Sequence, residues 1–133
     1  MSYGAKNYKQ QQITTATPGQ ILIMLYEAAI VNVKKASAAI DTGNLAEKGK
    51  YIGKTHDIIN ELATSLNFEV GGEIAKELER LYNFIVTQLL DANVKNSKEP
   101  LVSVQKTLET LLEGWKGAVV QYNKEAAAGA KKP

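Results

Sequence analysis

The stretch from Ile13 to Val31 constrains the fold more than any other part of the chain. It joins a strong helix start to a helix with more apolar surface than one buried face needs. Thr17 is placed to act as an N-cap, and Pro18 suits the first helical position. Gln20 stands three residues after Thr17, as the partner in a capping box does. We therefore predict a helix that begins at Pro18.

The apolar residues of this helix cover nearly its whole circumference. At about 100° per residue, one narrow stripe is typical of a core face, and its members are Leu22, Leu25, Ala29, Val33, Ala36 and Ile40. Met24 and Val31 lie about 180° from that stripe and form a second, surplus face. That face can be covered by the N-terminal segment, by another helix of the chain, or by a partner protein.

Three more helical patterns follow, so we predict helices at about 18–41, 45–66, 71–93 and 100–124. The predicted second stripe is Leu45, Ile52, Thr55, Ile59, Leu62, Ala63 and Leu66. The third is Ile74, Leu78, Leu81, Tyr82, Ile85, Leu89 and Ala92. The fourth is a heptad seam of Leu101, Val104, Leu108, Leu111, Trp115, Ala118 and Tyr122.

Four long helices with short links indicate an all-α, antiparallel four-helix bundle over residues 15–124. Residues 1–14 precede the predicted bundle as a separate N-terminal segment with room for a short extra helix. Residues 125–133 have little to bury, so we predict a disordered tail.

Composition argues against most catalytic chemistry. The chain has no cysteine and one histidine, His56, so thiolate and paired-histidine metal sites are excluded, and no cofactor is expected. The net charge of +2 does not suggest nucleic acid as a partner. The apolar run 21–31 is too short to span a bilayer. We expect a cytosolic protein that binds other proteins and is not an enzyme.

Six sequence segments together resemble one known family. They are Tyr8, T-A-T-P-G-Q-I-L-I-M-L-Y at 15–26, G-G-E-I-A at 71–75, L-Y at 81–82, L-L-D-A-N at 89–93, and Trp115. In this order they are similar to the FliS family of flagellin export chaperones. The resemblance covers nearly the whole chain.

The resemblance implies a cytoplasmic chaperone that binds the disordered C-terminal region of newly made flagellin in an apolar groove. It also implies that the chaperone prevents premature polymerisation and delivers flagellin to a gate protein of the flagellar type III export apparatus. Met1 to Thr14 would match the family's mobile segment, which can cover part of the groove. Tyr8 matches the family tyrosine implicated at the gate and in partner binding.

The resemblance and the surplus apolar surface together predict the partner-binding residues. We expect Tyr8 and Ile13 to belong to the movable cover. The predicted groove residues are Met24, Val31, Ile58, Leu62, Phe84, Val86 and Leu90. Plain core packing is the alternative for each of them.

A rival hypothesis is a structural bundle in which part of the same apolar surface forms a homodimer interface. The residues of that interface would be Met24, Val31, Phe84 and Leu90. For the chaperone, we expect a monomer or weak homodimer that forms a one-to-one complex with a C-terminal flagellin fragment. A structural dimer would ignore the fragment.

Overall fold

A computed structural model describes residues 16–130 and confirms the predicted all-α bundle in that range. It contains helices α1 (Pro18–Asp41), α2 (Leu45–Thr64), α3 (Phe68–Lys95) and α4 (Glu99–Ala130). Three-residue links at 42–44, 65–67 and 96–98 reverse the chain after each of the first three helices. None of the helices within residues 16–130 is long and apolar enough to cross a membrane.

The predicted helix start at Pro18 is confirmed in atomic detail. Gln20 N donates to Thr17 Oγ1 at 3.2 Å, and Thr17 N donates to Gln20 Oε1 at 2.9 Å. The capping box thus satisfies two donors that the first helical turn would otherwise leave free. Asn44 caps α2 in a related way, because its Oδ1 accepts from Glu47 N at 3.0 Å.

The helices form a ring in which α1 and α3 both pack against α2 and α4. The two diagonal helices meet through tyrosines: Tyr26 of α1 and Tyr82 of α3 are buried, and their hydroxyl oxygens lie 2.5 Å apart. Around them the core consists of aliphatic side chains from all four helices, among them Val33, Ile59 and Leu108. The two tyrosine hydroxyls thus satisfy each other across this aliphatic core.

One end of the bundle is closed by polar contacts. Lys48 of α2 is buried, and its Nζ donates to Asn93 O and Asn96 Oδ1, both at 3.1 Å. Asn96 ends α3 in a left-handed conformation that asparagine tolerates. Lys98 adds an ion pair to Asp41 at 2.9 Å. These contacts fix the α1–α2 and α3–α4 links against each other, and we call this the closed end.

At the opposite, open end α1 and α4 approach closely. A Cβ at Gly19 would lie 3.0 Å from Val119 Cγ2, so glycine is what allows the first turn of α1 to sit against α4. Beyond Val119, α4 continues to Ala130. We call residues 120–130 the overhang.

Three sequence predictions about the helices are wrong. The heptad and stripe patterns placed Leu45, Ile74, Ala118 and Tyr122 in the core, but all four are exposed. Leu45 is the first residue of α2, Ile74 follows the break at Gly72, and Ala118 and Tyr122 lie on either side of the contact between Val119 and the first turn of α1. The helix of α3 begins at Phe68, before Gly71. Residues 125–130, predicted as disordered, are helical, which fits their alanine-rich composition.

Candidate binding groove

An apolar groove of about 580 Å³ opens at the open end of the bundle. It lies between the first turns of α1, the last turn of α2, the start of α3, and Trp115 of α4. Its apolar lining consists of Pro18, Ile21, Leu22, Leu25, Leu62, Leu66, Val70, Ile74, Ala75, Leu78 and Trp115. We call this the end groove.

The outer wall of the end groove is a single helical turn at the start of α3. Asn67 caps this turn, since its Oδ1 accepts from Glu69 N and Val70 N, both at 3.1 Å. Gly72 then interrupts the helix with φ 52° and ψ −124°, a conformation that is nearly restricted to glycine. The turn is therefore set at an angle to the rest of α3, which leaves Val70 and Ile74 exposed at the groove rim.

Ile74 is the clearest sign of an unfilled site in the groove wall. Its stripe position is that of a core residue, yet 68% of it is exposed. Leu78, one helical turn further along, is buried. Ile74 is thus a large aliphatic side chain that is exposed at the edge of the groove, where an apolar partner can cover it.

Trp115 forms the inner part of the groove beside the buried tyrosine pair. Its ring centroid lies 6.4 Å from that of Tyr26, with the ring planes tilted by 54°. Its Nε1 is buried and has no partner with hydrogen-bond geometry among residues 16–130. The indole is nevertheless close enough to the Tyr26 hydroxyl to lower the pKa of that hydroxyl. Trp115 is also the only tryptophan in the sequence, so it reports on this groove alone.

Burial shifts the titration of the two tyrosines beneath the groove. It raises the pKa of Tyr26 above its ordinary value, and the neighbouring Tyr82 hydroxyl and Trp115 indole oppose the rise. Burial likewise raises the pKa of Tyr82, and the hydroxyl bond to Tyr26 reinforces the rise. Both hydroxyls therefore stay protonated at neutral pH and serve as a neutral polar contact in the core.

The chemistry of the end groove suits binding and not catalysis. Glu61 is the only ionisable carboxylate in its lining, and the other polar contributors are Ser65, Asn67 and the Tyr82 hydroxyl. Within residues 16–130, no three potential ligands among His, Asp and Glu come together as a metal site would require. An apolar groove between helices is the kind of surface that accepts the apolar face of an amphipathic helix.

The structure scatters the residues that the sequence predicted for partner binding. Tyr8 and Ile13 lie outside the described residues. Leu62 lines the end groove as part of its floor, but only 1% of it is exposed, so it is a core residue that the groove touches. Ile58 and Val86 are half-buried against the core. The remaining four are exposed outside this groove: Met24, Val31, Phe84 and Leu90.

Val31 belongs to a second, smaller cavity of about 420 Å³ between α1 and α4. Ile30 and Leu112 form its apolar floor, and acidic side chains from both helices stand around it. Ile30, which flanks the surplus face, is therefore buried beside α4, whereas Met24 and Val31 stay exposed. Met24 lines neither this cavity nor the end groove.

The sequence pattern predicts most residues of the end groove either as core residues or as part of no surface. Ile21, Val70 and Ile74 are the clearest examples. For Val70 and Ile74, the signal that could have identified them is the pair Gly71–Gly72, because a break inside an apolar helix pattern exposes the side chains on either side of it. A helical wheel treats the helix as continuous and so places Ile74 with the core.

Comparisons with known proteins agree with this architecture. The family model "Flagellar protein FliS" matches residues 1–122. A flagellar secretion chaperone FliS from Vibrio cholerae is 37% identical over 117 residues, which is 88% of this chain and 86% of that protein. The flagellar secretion chaperone FliS of Salmonella typhimurium is 33% identical over 118 residues, which is 85% of this chain and 87% of that protein.

A solved structure has the same fold. It is described as a crystal structure of a flagellar chaperone from bacteria, and it superposes with a TM-score of 0.74 at 24% identity over 90% of this chain and 98% of its own. The sequence match and the fold thus extend over nearly the whole chain. The chain belongs to the FliS family of flagellar secretion chaperones, a family of chaperones and not of enzymes.

Proposed function

We propose that this protein is a cytosolic export chaperone that binds the C-terminal region of flagellin in the end groove. The observation that carries the proposal is an apolar groove in a member of a chaperone family, with Ile74 largely exposed at its rim. Exposing aliphatic side chains to water is unfavourable for the free protein. A client's apolar side chains would bury this surface and so gain binding free energy.

The energetics favour a client segment that folds as it binds. Each apolar side chain fully buried by the partner contributes about 1.5–3 kcal/mol, so a few anchors can offset the ordering of a disordered segment. The groove offers aliphatic contacts from α1, α2 and α3, including Ile21, Leu66 and Ile74. A partner helix with apolar residues at i, i+3 and i+7 would match such a surface.

Binding in the groove would also account for the wider role. A flagellin C-terminal region held on the chaperone is not available for subunit contacts, so premature polymerisation is prevented. The complex would then be delivered to a gate protein of the flagellar type III export apparatus. Tyr8 and Ile13 are proposed as part of a movable cover, with Tyr8 also at the gate contact.

We retain the exposed residues outside the groove as secondary contacts. A client that is longer than the groove must leave it and follow the bundle surface, where Met24, Phe84 and Leu90 are exposed. The family membership favours this role over that of a stand-alone structural dimer.

Titration calorimetry of the full chain with a C-terminal flagellin fragment tests the proposal. We expect one-to-one binding with a negative heat-capacity change, because apolar surface is buried. A scrambled fragment of the same composition is the control and should not bind. Failure of the native fragment to bind at micromolar concentrations would refute the proposal.

A further inference from the structure

We propose that Tyr122, on the overhang of α4, extends the end groove and contacts the same client segment. This inference rests on the proposed function, and it adds a contact residue and a minimum client length to it. The overhang is helical, and residues 120–129 are exposed throughout. No other part of residues 16–130 therefore covers the overhang, which leaves it available to a partner.

The position of Tyr122 follows from the heptad spacing of α4. Leu108, Trp115 and Tyr122 are seven residues apart, so they lie on one stripe of the helix. Leu108 is fully buried, Trp115 lines the end groove, and Tyr122 is 71% exposed. The same stripe thus passes from the core, through the groove, into solvent.

Within residues 16–130, α1 begins at Pro18, one residue before its contact with Val119, and so does not run alongside Tyr122 as a helix. Val119 is the residue of α4 that meets Gly19, in the first turn of α1. The next eleven residues extend about 16 Å past that contact at 1.5 Å per residue. Tyr122 itself lies about 10 Å beyond Trp115 along the helix axis.

The occupant that fits is the segment that fills the end groove. The overhang continues the groove wall, and Ala118 and Ala126 beside Tyr122 are small enough to let a partner backbone approach. A tyrosine suits the contact, because its ring gives a large apolar area while its hydroxyl keeps the free protein compatible with water. A client helix would need about seven residues more than the groove alone accommodates.

Tyr122→Ala and Val120→Ala form a matched pair for the test. Both residues are exposed on the overhang, but Val120 lies about 160° around the helix from Tyr122. Alanine is the best helix former, so neither change should unfold the overhang. Affinity for the flagellin C-terminal fragment is measured by calorimetry, with circular dichroism as the check on helix content.

We expect Tyr122→Ala to weaken binding about tenfold and Val120→Ala to change it by less than about twofold. Equal affinities for Tyr122→Ala and the unaltered chain would overturn the inference. Tighter binding of Tyr122→Ala would also overturn it, because it would mean that residues 1–15 and not the client cover this tyrosine.

Ile74→Ala is measured in parallel to separate this inference from the proposed function. If Ile74→Ala weakens binding and Tyr122→Ala does not, the groove role stands and the overhang contact is refuted. If the unaltered chain does not bind the fragment, both are refuted.

Discussion

Replacing Ile74 with alanine should weaken client binding while leaving the bundle folded. Ile74 is 68% exposed in the free protein, so roughly two thirds of its burial remains to be gained on binding. Full burial of such a side chain contributes about 1.5–3 kcal/mol. The loss on truncation is therefore about 1–2 kcal/mol, or about a 5- to 30-fold rise in Kd.

Leu45→Ala is the matched control for this prediction. Leu45 is 62% exposed, and the change removes the same three carbon atoms, but it lies at the closed end of the bundle. We expect calorimetry with the flagellin C-terminal fragment to give an unchanged Kd for Leu45→Ala. Equal weakening by both variants, or weakening by Leu45→Ala alone, would refute the assignment of the end groove.

Four further predictions concern the core, the closed end and the outer surface. Tyr26→Phe should lower the free energy of unfolding by about 1–3 kcal/mol in urea denaturation, because the buried Tyr82 hydroxyl loses its partner. Replacing Tyr82 with phenylalanine as well should recover part of that loss, because no unpaired hydroxyl then remains. Because burial raises the pKa of both tyrosines above 10.0, their contribution to stability is complete below about pH 10 and is lost above it, as the unfolded chain releases its protons first. Above about pH 10, urea denaturation should show the free energy of unfolding decline by up to about 1.4 kcal/mol per pH unit for each tyrosine, and the variant with both tyrosines replaced by phenylalanine should lack this decline. Lys48→Met should lower the melting temperature, because the free energy of unfolding falls by about 1–3 kcal/mol when the Asn93 carbonyl and the Asn96 side chain lose their donor. The Kd for the client should not change, since these contacts lie at the closed end; a changed Kd would contradict the assignment of binding to the open end. Leu90→Ala should raise Kd by less than Ile74→Ala does, and a larger effect would move the main site to the outer face of α3.

The fold could be predicted from the sequence because its signals are local. The capping box at Thr17 and Gln20 depends on residues three apart, and the core stripes depend on a helical period that holds within each helix. Short links then leave an antiparallel arrangement as the simplest packing. These inferences did not require knowledge of where each helix meets its neighbour.

The binding groove could not be predicted in the same way, because it depends on where neighbours end. Ile74 and Leu78 have equivalent positions on a helical wheel, yet Gly72 and the divergence of the first turn expose only Ile74. Tyr122 continues the stripe of Leu108, but α1 begins near the level of Val119 and leaves Tyr122 71% exposed. Relative helix length and a single backbone angle decide both cases.

For the apolar residues of α1, the sequence likewise could not show which are buried and which are exposed. The wheel indicated one continuous face, but α4 covers Ile30 and leaves Val31 partly exposed beside it. Met24 stays exposed, and Leu62, predicted for the groove, is a buried part of its floor. An apolar excess can be counted from sequence, whereas its division between core and surface requires the packed helices.

A nitrogen–proton NMR titration of the full chain with the flagellin C-terminal fragment tests the central claim most directly. Trp115 supplies the only indole N–H signal, and its donor has no partner among residues 16–130. We predict that this signal and the amides lining the groove, Leu66 to Leu78, shift and saturate at one equivalent, while the amide of Leu45 does not move. Saturable binding that leaves the Trp115 signal and those amides unchanged would contradict the account.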